Sequence, residues 1–229
     1  MITSTIDKGT SLQVRRRMQK RSVTLALSRR SDLHPLIEIA QKSGFEVLQK
    51  AGALEINAPL GQTRFEPVTD GLRMTLSAAT PAELQLLTDL YAARLEAYFP
   101  DVKTVWDKQT GATPLNQITA VVIGAVPLSP NFLRLRLAGD FSAFLAQGAG
   151  LHFRFLLNQS ADGWPTLDAR GLTQWPGGGE SWHRPPYTVR RLSPEGNWID
   201  VDIALHAGGR TTDWCDLLGP GDEICLQGP

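Results

Sequence analysis

An aromatic ring, a hydroxyl and a guanidinium fall close together at Tyr187, Thr188 and Arg190, in the run Arg184-Pro185-Pro186-Tyr187-Thr188-Val189-Arg190-Arg191. The run is β-prone. In an extended strand successive side chains alternate faces, so Tyr187 shares one face with Val189 while Thr188 shares the other with Arg190. At a twisted or bulged strand end, ring and hydroxyl can still converge on one flat ligand. That ligand would offer a ring for stacking, a hydrogen-bonding edge and an attached phosphate for the cation. A flavin nucleotide has all three features. An ordinary barrel strand reads the same way, so the run alone leaves both readings open.

The residues beyond Arg191 narrow the choice. In Trp198 to His206, Ile199, Val201, Ile203 and Leu205 alternate with Asp200, Asp202, Ala204 and His206, the pattern of a second strand. It ends in Ala207-Gly208-Gly209-Arg210, and Thr211 to Leu218 reads as a short helix with a hydroxyl near its N-cap. Glycines ahead of a helix let backbone N–H groups approach an anion, and the helix dipole favours negative charge there. Strand, glycine turn and helix together suit a ligand bearing a pyrophosphate.

These motifs, closed by Gly219-Pro-Gly-Asp-Glu-Ile-Cys-Leu-Gln-Gly-Pro229, resemble the FAD-binding domain of siderophore-interacting proteins, in the ferredoxin–NADP reductase superfamily, over about residues 115–229. The resemblance implies that Tyr187 lies against the isoalloxazine and Thr188 places its hydroxyl near the ring's reactive nitrogen. Arg190 would neutralise the pyrophosphate with Thr211, Thr212 and the helix N-terminus. Val189, His206, Ala207, Gly208 and Gly209 would complete the FAD site. The family's first arginine sits two residues before the tyrosine, where this chain has Pro185. If the extra proline is absorbed as a bulge, Arg184 still reaches the phosphates, and that is the expectation.

The implied activity is reduction of a ferric siderophore with NADH or NADPH, releasing ferrous iron. Electron transfer from a reduced flavin needs no protein acid or base, so neither a catalytic residue nor a metal ligand is assigned. In the family a nicotinamide-binding domain follows the barrel, and the sequence stops at Gly228-Pro229, where that domain would begin. NADH or NADPH is therefore expected to act only through a domain beyond these residues. The alternative is a non-catalytic flavin- or siderophore-binding module in iron handling.

At 229 residues the chain has room for two small domains. Hydrophobic residues make up 42%, charged residues 20%, and the formal net charge is zero, which gives no reason to expect nucleic acid. There is no apolar run of membrane-spanning length and no signal-peptide core, so the expectation is a cytoplasmic protein without membrane insertion. Its oligomeric state is left open. Cys215 and Cys225 do not form a metal or redox pair and are expected to be reduced.

In chain order, residues 1–22 read as a basic arm containing Lys8, Arg15, Arg16, Arg17, Lys20 and Arg21, either a patch for anionic partners or a solvated tail. Residues 23–99 read as a small α+β domain. Its first helix runs from about Asp32 to Ser43, with His34 as a cap before Pro35. Its second begins at the capping box Thr80-Pro81-Ala82-Glu83 and carries Leu84, Leu87, Tyr91, Leu95 and Tyr98 at helical spacing. This domain is similar to one that precedes the flavin domain in some siderophore-interacting proteins, and its residues name no activity. Residues 100–116 read as a linker, and 117–229 as an all-β, six-stranded Greek-key barrel with one short helix. Pro127-Leu-Ser-Pro130 looks too long for a two-residue hairpin turn. His152 reads as a satisfied sheet-face histidine, and Asn158–Ser181 as a flexible insertion whose Trp164, Trp175 and Trp182 are available to cover apolar surface.

Overall fold

A computed structural model of the chain describes residues 18–27, 30–50, 52–107, 112–147, 152–158 and 162–228. Lys8, Arg15, Arg16 and Arg17 of the expected arm lie outside the described residues.

Alternating apolar residues build the first sheet. Its elements are β1 (Gln19–Leu25), α1 (His34–Lys42), β2 (Glu46–Lys50), β3 (Ala53–Ala58), β4 (Gly61–Val68), β5 (Gly71–Ala78), α2 (Pro81–Tyr98) and β6 (Thr104–Trp106). The six strands pair antiparallel in the order β2-β3-β4-β5-β1-β6. Gly71 (φ +134°) is required where β5 starts beside the end of β1, since a Cβ there would meet the Leu25 carbonyl oxygen at 2.1 Å. The capping box of α2 forms: Glu83 N donates to Thr80 Oγ1 (3.1 Å) and Thr80 N donates to Glu83 Oε2 (2.9 Å). From that start, α2 presses Leu84, Leu87, Tyr91 and Leu95 onto the sheet, while Tyr98 in its last turn stays exposed. In α1, Pro35 does lie in the first turn. The N-cap, however, is Leu33 without a side-chain bond, so His34 begins the helix rather than capping it.

Two expectations are corrected in this half. The stretch read as linker contributes β6, because Trp106 pairs with Val23 and packs against the sheet core. Arg21, read as an arm charge, lies inside β1 and is 5% exposed. Its guanidinium donates to the carbonyls of Gly171 (2.8 Å) and Arg170, sits 5.0 Å from the centre of the Trp106 ring and reaches Asp107 at 3.4 Å. Carbonyl oxygens and an aromatic face there replace water around the charge.

The second half comprises β7 (Gln117–Ser129), β8 (Phe132–Gly139), α3 (Ser142–Gln147), β9 (His152–Phe155), β10 (Thr166–Leu167), β11 (Thr173–Gln174), β12 (Pro186–Leu192), β13 (Trp198–Ala204), α4 (Arg210–Cys215) and β14 (Glu223–Gln227). Six of these strands close into a barrel in the order β12-β13-β8-β7-β14-β9, and two short helices accompany it. The strand order departs from chain order in the manner of a Greek key, and closure leaves no edge. Val122, Leu135, Leu137, Ile199, Val201 and Ile203 fill the interior, each contributing about 1.5–3 kcal/mol when fully buried. Phe141 and Phe144 pack into the same core. Between β7 and β8 the expected long loop is absent. Pro127 stays paired with Leu133, a register shift leaves Leu128 as the extra residue, and only Pro130-Asn131 form the turn.

On the outer face, Arg134 forks onto Asp202 (2.6 and 2.8 Å) and Arg136 onto Asp200 (2.7 and 2.9 Å). These cross-strand pairs tie β8 to β13. Part of the insertion is pinned to the first half through the β10–β11 ribbon. Asp89 accepts from Thr173 N (3.0 Å) and Thr173 Oγ1 (2.5 Å), and Gln85 donates to the Gly171 carbonyl (3.3 Å). Burial raises the Asp89 carboxyl above its usual range against these hydrogen bonds. Trp182 is buried with Leu156 and Cys225, and Trp164 and Trp175 pack against that cluster. Both cysteines are free and buried, and burial pushes each thiol up to about 12.

Asp200 gives a pH test of the outer ladder. Hydrogen bonds from Arg136 hold its carboxyl below the usual value. A carboxylate with a depressed folded-state pKa adds stability above its unfolded value, and that stability is lost as pH falls through the folded one. Asp200 is 1% exposed while the Arg136 side chain is 43% exposed, so solvent screens part of the pair. Asp200→Asn should lower the melting temperature at neutral pH by about 2–4 °C, on the order of 1 kcal/mol, with the gap closing below about pH 3. Melting curves over that range check it, and a gap independent of pH would contradict it.

Candidate functional site

The direction of each candidate side chain on β12 follows from its pairing with β9. Thr188 lies opposite His152, Tyr187 opposite Phe153 and Pro186 opposite Arg154, while the bridge between His183 and Leu157 keeps the same offset. The ladder therefore passes the prolines without a shift. Pro185 accepts a hydrogen bond from Phe155 N (3.2 Å) and, having no N–H, returns none. The bulge expected at the extra proline is absent. Arg184 is exposed, and its guanidinium stands 4.8 Å from the centre of the Trp175 ring. The irregularity falls later: Val189 faces Val201 but Arg191 faces Asp200, which leaves Arg190 as the extra residue. Arg190 is exposed and lies 3.7 Å from Asp202.

Tyr187 and Val189 point into the barrel, and Thr188 and Arg190 point out, as strand alternation requires. The Tyr187 ring is 5.1 Å from Phe155 and 6.5 Å from Phe153, and Phe155 is 5.1 Å from Trp214 on α4. Burial raises the Tyr187 phenol, and a hydrogen bond with Thr211 acts in the opposite direction. On the outer side, Thr188 Oγ1 and His152 Nδ1 are 2.9 Å apart, so His152 is the satisfied sheet-face residue its position predicts.

The glycine turn brings a second group of candidates together. Gly209 N donates to the His206 carbonyl (3.1 Å), Gly208 adopts φ +73°, and Ala207 is exposed. The His206 imidazole covers Gly209, where a Cβ would lie 2.5 Å from a ring carbon. Helix α4 is shorter than Thr211–Leu218. It ends at Cys215, and its N-cap Gly209 offers no side chain. Thr212 Oγ1 instead accepts from His206 N (3.0 Å), which ties the turn to the helix. Thr211 is buried and meets both Tyr187 and His183, the latter at 3.3 Å from Nε2.

Beside Thr211 opens a cleft of about 460 Å³ whose lining includes Asn158, Ser181, His183, Arg210, Asp213 and Trp214. His183 and Arg210 have no motif spacing between them. They meet only because the approach to β12 and the start of α4 lie at one end of the barrel. Burial, and then the Arg210 charge, lower the His183 imidazole below its usual value. A cation and an imidazole beside the Trp214 ring suit a phosphate group attached to a flat ring, while the Ser181 hydroxyl is already spent on the Gly178 carbonyl (2.7 Å) and Asp213 opposes an anion at one wall. Among the described residues no cluster of His, Cys, Asp or Glu could hold a metal ion.

Residues 121–229 match the family of the siderophore-interacting FAD-binding domain. Among solved structures, the siderophore-interacting protein from Acinetobacter baumannii is 19% identical with a TM-score of 0.38, the match covering 49% of this chain and 39% of that one. The siderophore-interacting protein SipS from Aeromonas hydrophila is 23% identical with a TM-score of 0.36, covering 50% and 45%. The cytochrome b5 reductase domain of Ulva prolifera nitrate reductase is 15% identical with a TM-score of 0.34, covering 53% and 44%. The chain thus spans less than half the length of these proteins. No curated protein matches it.

The cleft's electrostatics are testable through His183. Its imidazole should titrate below the ordinary value of about 6.5, and Arg210→Ala should move it only part of the way back, because burial is the larger cause. Inorganic pyrophosphate should raise it. A proton NMR titration checks all three, and an imidazole at or above the ordinary value that ignores both changes would contradict the arrangement.

Proposed function

We propose that the barrel holds FAD and that the flavin, once reduced, passes electrons to chelated ferric iron, with a ferric siderophore as substrate and NADH or NADPH as the ultimate donor. The observation that carries the reading is the match of residues 121–229 to a siderophore-interacting FAD-binding domain. The cleft beside Thr211 supports it, because Arg210 and His183 fit a diphosphate and the Trp214 ring at its wall offers an apolar face to a ring.

Bound FAD would supply the electron storage, and the chain supplies position and electrostatics. Arg210 and His183 hold the diphosphate. Arg190 is exposed enough to exchange Asp202 for a phosphate oxygen. Tyr187 offers its ring face, and Thr188 and His152 present a polar edge on the outer side of the strand. The His206–Thr212 turn closes over the cofactor beside Ala207, Gly208 and Gly209. The first half steadies the insertion that walls the cleft. Iron release follows because ferrous iron is held weakly by chelators built for ferric iron.

No helix among the described residues is long and apolar enough to cross a membrane. A cytoplasmic setting would keep Cys215 and Cys225 reduced.

Flavin titrations of the chain test this function. FAD should bind more tightly than riboflavin. Arg210→Ala and Arg190→Ala should each weaken FAD by about 1.5–3 kcal/mol, roughly tenfold to a hundredfold, and leave riboflavin unchanged. After photoreduction, a ferric chelate should reoxidise the bound flavin. Equal affinity for FAD and riboflavin would remove the diphosphate seat. A reduced flavin inert to ferric chelates would leave a binding module in place of a reductase.

A further inference from the structure

Closure removes the edges of the barrel, but the first sheet stays open, with β2 and β6 at its two ends. Strand β6 has three residues, whereas β2 has five, Glu46-Val47-Leu48-Gln49-Lys50. Those five pair with β3 in unbroken antiparallel register, from Glu46 opposite Asn57 to Lys50 opposite Ala53. Among the described residues no strand pairs with the far side of β2. Its outward N–H and C=O groups are a template for another strand, and β2 carries neither the proline nor the bulge that commonly blunts such an edge.

The side chains decide which strand fits. Glu46, Leu48 and Lys50 share one face, with a carboxylate at one end, an ammonium at the other and the leucine between them. Val47 turns the other way, onto the sheet core, while Leu48 is half-buried outside that core. Glu46 accepts a hydrogen bond from the Asn57 amide (2.7 Å) and forms no ion pair among the described residues. The Lys50 side chain is 63% exposed and 3.9 Å from Glu55, a carboxylate that Arg64 holds more closely at 2.5 Å. Both edge charges can therefore take an opposite partner.

Parallel pairing in register would set Glu46 against Glu46 and Lys50 against Lys50 of another copy, and like charges directly opposite are destabilising. Antiparallel pairing about a two-fold axis at Leu48 sets each Glu46 against Lys50 of the second copy. It also brings the two leucines together at the axis. We infer that β2 is a homodimer seam, at which two copies of this chain join their six-stranded sheets edge to edge into one antiparallel sheet. A seam of five residues buries far less than a permanent interface, so the dimer forms and parts with concentration.

Sedimentation velocity of the full chain over a range of concentrations tests the seam, and the mass should rise from that of one chain towards that of two. Glu46→Lys leaves two cations on the edge and Lys50→Glu leaves two carboxylates. Each variant alone should associate about tenfold more weakly than the parent. An equimolar mixture of the two should recover the association, because every facing pair is then opposite in charge. The double variant Glu46→Lys/Lys50→Glu should recover it as well. Recovery in the mixture also shows that the single variants are folded. A parent chain that stays monomeric throughout, single variants that dimerise like the parent, or a mixture that stays monomeric would each overturn the inference.

Discussion

The antiparallel pairing of β9 with β12, held at one offset from Leu157–His183 to His152–Thr188, decides where Tyr187 and Thr188 point. A one-residue slip would turn Tyr187 out to solvent and drive Thr188 into the core. At the observed register, Tyr187 joins Phe153, Phe155 and Trp214 inside the barrel mouth. His183 reaches Thr211 across the same mouth. Because β9 also pairs with β14, the contact that orients the candidate site is the one that closes the barrel. The site's geometry thus shares the cooperative stability of the whole barrel, unlike a site carried on a loop.

The first half bears on the same site through the insertion. Arg21, Gln85 and Asp89 converge on the short stretch from Arg170 to Thr173. Beyond that stretch the chain supplies Trp175, over which Arg184 lies, and Ser181, which lines the cleft. The buried Arg21 guanidinium and the half-buried Asp89 carboxyl each depend on the Arg170–Thr173 stretch for hydrogen bonds that replace water. The clasp therefore sets the placement of the cleft wall as well as adding contacts.

Much of the fold is readable from local pattern. The alternation of Ile199, Val201 and Ile203 marks β13, Thr80-x-x-Glu83 marks the start of α2, and alternation separates Tyr187 and Val189 from Thr188 and Arg190. Each of these is written within a few residues of chain. The features that escape local pattern depend on distant partners. Two prolines locally argue for a bulge at Pro185-Pro186, but the pairing of His183 with Leu157 holds the ladder in register, and the bulge moves to Arg190. Arg21 reads as a solvated charge until the carbonyls of Arg170 and Gly171 arrive from the other half of the chain. His183 and Arg210 carry no motif, and only the closed barrel brings them to one cleft.

The central claim is that the barrel mouth seats a flavin against Tyr187. Its most direct test is the fluorescence lifetime and affinity of FAD bound to the parent chain and to Tyr187→Leu. A stacked aromatic ring quenches flavin emission and contributes about 0.5–1.5 kcal/mol, so the variant should bind up to roughly tenfold more weakly and emit for longer. The same lifetime and the same affinity in both proteins would place the flavin elsewhere and contradict the account.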